Sequence, residues 1–175
     1  MPREKGTPTR MNGFRGGQEE KKTVNEEKII NQALKLHSEG NIQEAAKYYQ
    51  HFINQGFKDH RIFSNYGIIL RDIGKLKEAE LSTRKAIKIK PDLAETHSNL
   101  GNIFRDLGKL KEAELSYRKA IEIKPDYVEA HYNLGSILSD LGKLKEAENS
   151  YRKAIELKPD IAKTHLNLGG ILVDL

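Results

Sequence analysis

A chain of 175 residues with a formal net charge of +5 and 37% hydrophobic side chains is long enough for one ordinary domain. It has no cysteine, which excludes a disulfide framework and a thiolate metal site and suits a reducing compartment. No apolar run approaches the ~18 residues of a spanning helix and residues 1–23 hold no signal-peptide core, so a cytoplasmic protein with no membrane partner is expected.

In chain order, residues 1–23 come first and read as a disordered basic tail. Gly6, Gly13, Gly16, Gly17, Pro2 and Pro8 are scattered among charges, with few large apolar side chains between them. Arg3, Lys5, Arg10, Arg15, Lys21 and Lys22 stand against Glu4, Glu19 and Glu20, so this segment carries more than half of the surplus charge. Arg15-Gly16-Gly17 is a single unit of an RNA-binding type of tract, and one copy is too little to predict nucleic-acid binding.

Residues 24–175 are organised by repetition. The stretch 94–127 returns in 128–161 with most positions identical; 60–93 keeps the same Gly, Ala and Pro positions, 26–59 is a degenerate copy, and 162–175 begins a partial one. A period of ~34 residues means stacked units that cannot bury their apolar faces alone. Within a unit, His97, Leu100, Ile103, Phe104 and Leu107 recur at three- and four-residue spacing. Leu110, Ala113, Tyr117, Ala120 and Ile121 do the same, which predicts two amphipathic helices. Gly108 is expected to end the first helix in a left-handed conformation and Pro125 to end the second. Asp92 with Glu95, and Asp126 with Glu129, are spaced to cap the helices that follow. Gly101 and Ala113 are small enough for the paired helices to approach closely.

The pattern His97-x-x-Leu100-Gly101-x-x-Phe104, Ala113-x-x-x-Tyr117, Ala120 and Pro125 resembles the tetratricopeptide repeat, with histidine where that family often has tryptophan. The resemblance covers roughly residues 26–175. It is weakest in 26–59, where Phe52 and Phe57 replace the expected alanine and proline and an atypical terminal hairpin is expected. What it implies is an all-α, right-handed α-solenoid of stacked helix-turn-helix tetratricopeptide repeats.

The second helices carry many cations, but Glu80 with Arg84, Glu114 with Arg118 and Glu148 with Arg152 are i, i+4 pairs in the favourable order. They predict a self-paired outer face. His97, His131 and His165 occupy equivalent positions, and stacked helices would hold them roughly 8–10 Å apart per step, too far to share a metal. They are read as packing residues with a polar edge. No catalytic motif occurs, so neither catalysis, a cofactor nor a small-molecule substrate is expected.

The remaining face of the first helices aligns in rows. Asn65, Asn99, Asn133 and Asn167 form one, Asp72, Asp106, Asp140 and Asp174 another, with Arg71, Arg105, Asn102 and Tyr132 on the same side. An asparagine amide can pair with any peptide backbone, or only with its own helix. The resemblance implies a concave groove that binds an extended peptide or protein segment, and the Asn row is similar to that of the superhelix in O-linked N-acetylglucosamine transferases. The chain as the targeting part of such a larger enzyme is the alternative. The carboxylate clamp of cochaperones is a poor fit, because Glu129 and Asn133 stand where its last cations belong. Leu168, Leu172 and Leu175 are expected to lack a covering second helix, which predicts a longer array or self-association through this end.

Overall fold

The computed structural model of the protein describes residues 16–174, and their side chains from residue 26 onward. All regular structure among them is helical: α1 (Gly16–Ser38), α2 (Ile42–Asn54), α3 (His60–Asp72), α4 (Leu76–Ile89), α5 (Ala94–Asp106), α6 (Leu110–Ile123), α7 (Val128–Asp140), α8 (Leu144–Leu157) and α9 (Ala162–Asp174). These helices divide into two compact units, residues 1–57 and residues 58–175.

In the first unit α1 and α2 form a hairpin. It buries Ile30, Ala33, Ala45, Tyr49 and Phe52, and the Tyr49 hydroxyl lies 3.1 Å from His37 Nδ1. The degenerate copy is therefore a real helical pair. Its first helix starts at Gly16, before the expected boundary at residue 24, which corrects the tail reading over 16–23. The physical reason lies in Gln18, Glu19, Glu20, Lys21 and Lys22, all good helix formers that extend a helix once packing further along has nucleated it. The remainder of the expected tail, residues 1–15, lies outside the described residues.

The second unit is a stack of hairpins. α3 packs on α4, α5 on α6 and α7 on α8, and each second helix packs in turn on the next first helix, ending with α8 on α9. The large contacts run between neighbours, as in a solenoid. In addition α3 touches α5 and α7 touches α9, with no comparable contact between α4 and α6 or between α6 and α8. The first helices consequently lie on the inner, shorter side of the curve.

The hairpin turns are made by glycine as expected. Gly108 has φ 72°, its N–H donates to Arg105 O at 2.9 Å, and Lys109 N–H donates to Phe104 O at 2.8 Å. This double bond pattern satisfies the last carbonyls of α5, and Gly74 and Gly142 repeat it. The caps expected from Asp92 and Asp126 do not form. Leu93 and Tyr127 occupy the cap positions without a side-chain bond, because each aspartate is used one residue earlier, in the turn with its proline. In the copy that has Asp59 one place later a carboxylate does reach the helix, accepting from Arg61 N–H at 2.7 Å.

The histidines serve the same loops. His97, His131 and His165 each donate from Nε2 to the carbonyl of Pro91, Pro125 and Pro159, at 2.8, 2.8 and 2.6 Å. A carbonyl can only accept, so the proton sits on Nε2. This is the polar edge that the sequence suggests, tying each inter-repeat loop to the helix it introduces.

On the outer face the expected pairs form: Glu80 with Arg84 at 2.9 Å, Glu114 with Arg118 at 2.9 Å and Glu148 with Arg152 at 2.8 Å. Lys109 also reaches back to Glu80 at 3.0 Å, and Lys143 to Glu114 at 2.8 Å, so one buried carboxylate per repeat links two hairpins. Burial alone would raise the Glu114 carboxyl, but hydrogen bonds from Lys143 and Arg118 outweigh it and hold its pKa below the ordinary 4.5. A depressed carboxylate stabilises the fold above its unfolded pKa, and that contribution is lost as pH falls through the lower folded value. Glu114→Gln should therefore cost about 1 kcal/mol at pH 7, the half-exposed cations limiting the effect. Urea titrations at pH 7 and pH 3 check it: the deficit should shrink at pH 3, and a constant deficit would assign the cost to packing instead.

Candidate functional site

The inner face is built by residues that the packing stripe leaves over. Between the helices of a hairpin, glycine sets the spacing: a Cβ on Gly101 would lie 2.6 Å from Tyr117 Cε1, and one on Gly135 would lie 2.8 Å from Tyr151 Cδ1. Tyr117 and Tyr151 fill the space thus provided and are almost wholly buried. Their hydroxyl groups nevertheless reach the asparagines of the inner face.

There they meet the asparagines. The Tyr117 hydroxyl donates to Asn102 Oδ1 at 2.8 Å, and Asn133 Nδ2 approaches the same oxygen at 3.4 Å, which joins α5, α6 and α7. Asn167 Nδ2 donates to the hydroxyls of Tyr132 and Tyr151, each at 3.3 Å, and the two tyrosine rings lie 5.8 Å apart. Burial pushes the Tyr117 phenol up to about 12 and also raises that of Tyr151. Both remain protonated hydroxyls at neutral pH. Sequence reasoning places Tyr117 and Tyr151 in the core and misses their polar ends; the signal available was that a buried tyrosine hydroxyl needs a partner.

The row is not uniform. Tyr117 precedes Asn133 and Tyr151 precedes Asn167, but the equivalent residue before Asn99 is Thr83, buried, with a hydroxyl that finds no hydrogen-bond partner. Threonine is too short to reach the inner face. Asn99 is half-buried and its amide makes no hydrogen bond to another described residue, whereas Asn65 Nδ2 turns back to Arg61 O on its own helix at 2.8 Å. Of the two uses open to an asparagine, both occur in one row.

The charged row is largely paired. Arg71 bonds Asp72 at 2.9 Å and approaches Asp106 at 3.6 Å, while Arg105 lies 3.5 Å from Asp106. Further along, Ser136, Ser139, Asp140, Asn167 and Asp174 border a pocket of about 460 Å³ between α7 and α9. Tyr132 stands nearby with Lys163 Nζ 4.3 Å above its ring. The structure thus brings the predicted residues of α3, α5, α7 and α9 onto one continuous side, Asn102, Arg105 and Tyr132 included. Among the described residues no three His, Cys, Asp or Glu side chains gather as a metal ion would require, and no helix is long and apolar enough to cross a membrane.

Comparison with known proteins agrees with this architecture. Profiles described as "Tetratricopeptide repeat" match residues 60–93 and 128–161, and one described as "TPR repeat" matches residues 101–142. No curated protein sequence matches the chain. Among solved structures, MamA from Desulfovibrio magneticus RS-1 superposes with a TM-score of 0.77 at 21% identity, over 85% of this chain and 84% of that one. YrrB, described as a TPR protein with an unusual peptide-binding site, gives 0.73 at 23% identity, over 87% of this chain and 81% of that one. The first TPR domain of Spaghetti (RPAP3), solved with the HSP90 peptide SRMEEVD, gives 0.65 at 23% identity, over 66% and 91%.

Proposed function

Since the chain belongs to the tetratricopeptide-repeat family, we propose that it is a protein-interaction module which holds an extended peptide or protein segment along the inner face of residues 58–175. The observation that carries this reading is the asparagine row and, within it, the unengaged amide of Asn99. An amide that already donates to its own helix has one N–H fewer to offer a ligand; one that is half-buried and unpaired gains all the bonds it lacks. Two structural neighbours, YrrB and the RPAP3 domain, are described as binding peptides, which supports the same use here. Catalysis is no part of the proposal. A cytoplasmic location fits a cysteine-free chain of this composition.

Asn99→Ala should weaken a groove-bound peptide about three- to tenfold, equivalent to one hydrogen bond, with helicity unchanged. Asn65→Ala, whose amide is already satisfied by Arg61, should change affinity less. Calorimetric titration of a peptide recovered from a display library would check both. Equal affinities for the parent chain and Asn99→Ala would place the binding surface elsewhere.

A further inference from the structure

The inner face changes character along the stack. Across α3 and α5 a guanidinium stands beside each carboxylate, Arg71 with Asp72 and Arg105 with Asp106, and Arg71 bridges to the second helix. In the next two first helices the residue before the aspartate is Ser139 and then Val173. Asp140 and Asp174 accordingly form no ion pair with any described residue. Lys163, the cation of α9, sits about three turns away along the helix, over the Tyr132 ring, and neutralises neither.

These two carboxylates open onto the pocket between α7 and α9, whose walls combine an apolar side, Leu166 and Ile171, with the acceptors Ser139 and Asn167. Leu166, about two turns before Asp174 on α9, is 77% exposed and forms the apolar end of the same pocket. We propose that this pocket receives the lysine or arginine side chain of a peptide held in the groove, a refinement that rests on the groove reading above. A long basic side chain matches the mixture: its charged end meets Asp140 and Asp174, with neutral oxygen acceptors for the remaining N–H groups, while its methylene stem runs along the apolar wall in the direction of Leu166. An acidic side chain at the same place would face two carboxylates with no cation to share them. The groove therefore reads a basic residue at the α7–α9 end, while the paired Arg and Asp groups of α3 and α5 are close to neutral towards charge.

The test uses the full chain and a position-scanning library of N-acetylated, C-amidated octapeptides, read by fluorescence anisotropy against the parent, Asn99→Ala and the double variant Asp140→Asn with Asp174→Asn. Circular dichroism confirms that each variant keeps its helicity. The expected result is a preference of about tenfold for Lys or Arg over Glu at one peptide position, abolished in the double Asp variant and retained, at lower overall affinity, in Asn99→Ala. Peptides that bind and are weakened by Asn99→Ala, yet show no basic preference or keep it in the double Asp variant, overturn the pocket assignment and leave the groove standing. If no peptide binds, or if binding is insensitive to Asn99→Ala, the groove reading itself fails and the pocket assignment goes with it.

Discussion

Gly101→Ala is expected to destabilise the protein by about 1–3 kcal/mol, whereas the same substitution at Gly169 is expected to stabilise it by up to about 1 kcal/mol. The two glycines occupy equivalent positions in their repeats, and one methyl group is added in each case. At Gly101 the new Cβ would stand 2.6 Å from Tyr117 Cε1, inside contact distance of a ring that is wholly buried and anchored by its bond to Asn102. Neither the ring nor the helices can yield without opening the packing between α5 and α6. At Gly169 no atom lies within 4 Å of the added carbon, so only the better helix propensity of alanine is felt. Thermal and urea melts followed by circular dichroism would show midpoints moving in opposite directions. A common direction would mean that the close approach of the paired helices is more compliant than their geometry says.

Covering the open side of α9 should raise the melting temperature. In the internal copies this side receives a second helix, and here Leu172 is 49% exposed and Gly169 faces open space. Fully burying one large apolar side chain is worth about 1.5–3 kcal/mol, so a helix that covers this side of α9 recovers part of that for Leu172. We expect that appending the sequence of residues 142–158 after Leu175, turn glycine included, stabilises the chain by several degrees. The sign of the Gly169→Ala effect should then reverse, because a tyrosine equivalent to Tyr151 would now fill the space over that glycine. Sedimentation at high micromolar concentration should show the parent chain self-associating and the extended chain monomeric. A monomeric parent chain that gains nothing from the added helix would show α9 to be a sufficient cap, and the association read from the sequence would be wrong.

Much of this was legible in the residues because repetition multiplies a weak signal. One Gly followed by Lys is a poor marker of a helix end; the same pair at Gly74, Gly108 and Gly142 is a strong one, and all three adopt φ between 72° and 79°. The outer-face pairs were legible for the same reason, since i, i+4 neighbours on a helix meet whatever the surrounding fold. The aspartate caps misled because a shift of a single residue, from Asp59 to the Asp92 and Asp126 positions, decides between a cap and a turn, and spacing alone does not reveal where the helix begins. The start of α1 escaped for a related reason: glycines and charges lower the expectation of order, although the Gln, Glu and Lys among them favour a helix.

By itself the sequence determined the all-α class, the hairpin unit, the register of the repeats and which side of each first helix the packing stripe leaves over. These depend on local periodicity and on backbone conformations that glycine and proline impose wherever they stand. Only the tertiary structure decided what each residue of that free side does. Asn65, Asn99, Asn133 and Asn167 are the same residue in the same register, yet one bonds its own helix, one is unengaged, one approaches Asn102 and one joins two tyrosine hydroxyls. The difference between Asn99 and the two that follow goes with the neighbouring second helix, which carries Thr83 before Asn99 but Tyr117 before Asn133 and Tyr151 before Asn167. Hydrogen bonds and ion pairs act over a few ångströms, so the use of a repeated side chain is set by what stacking brings beside it rather than by its place in the repeat.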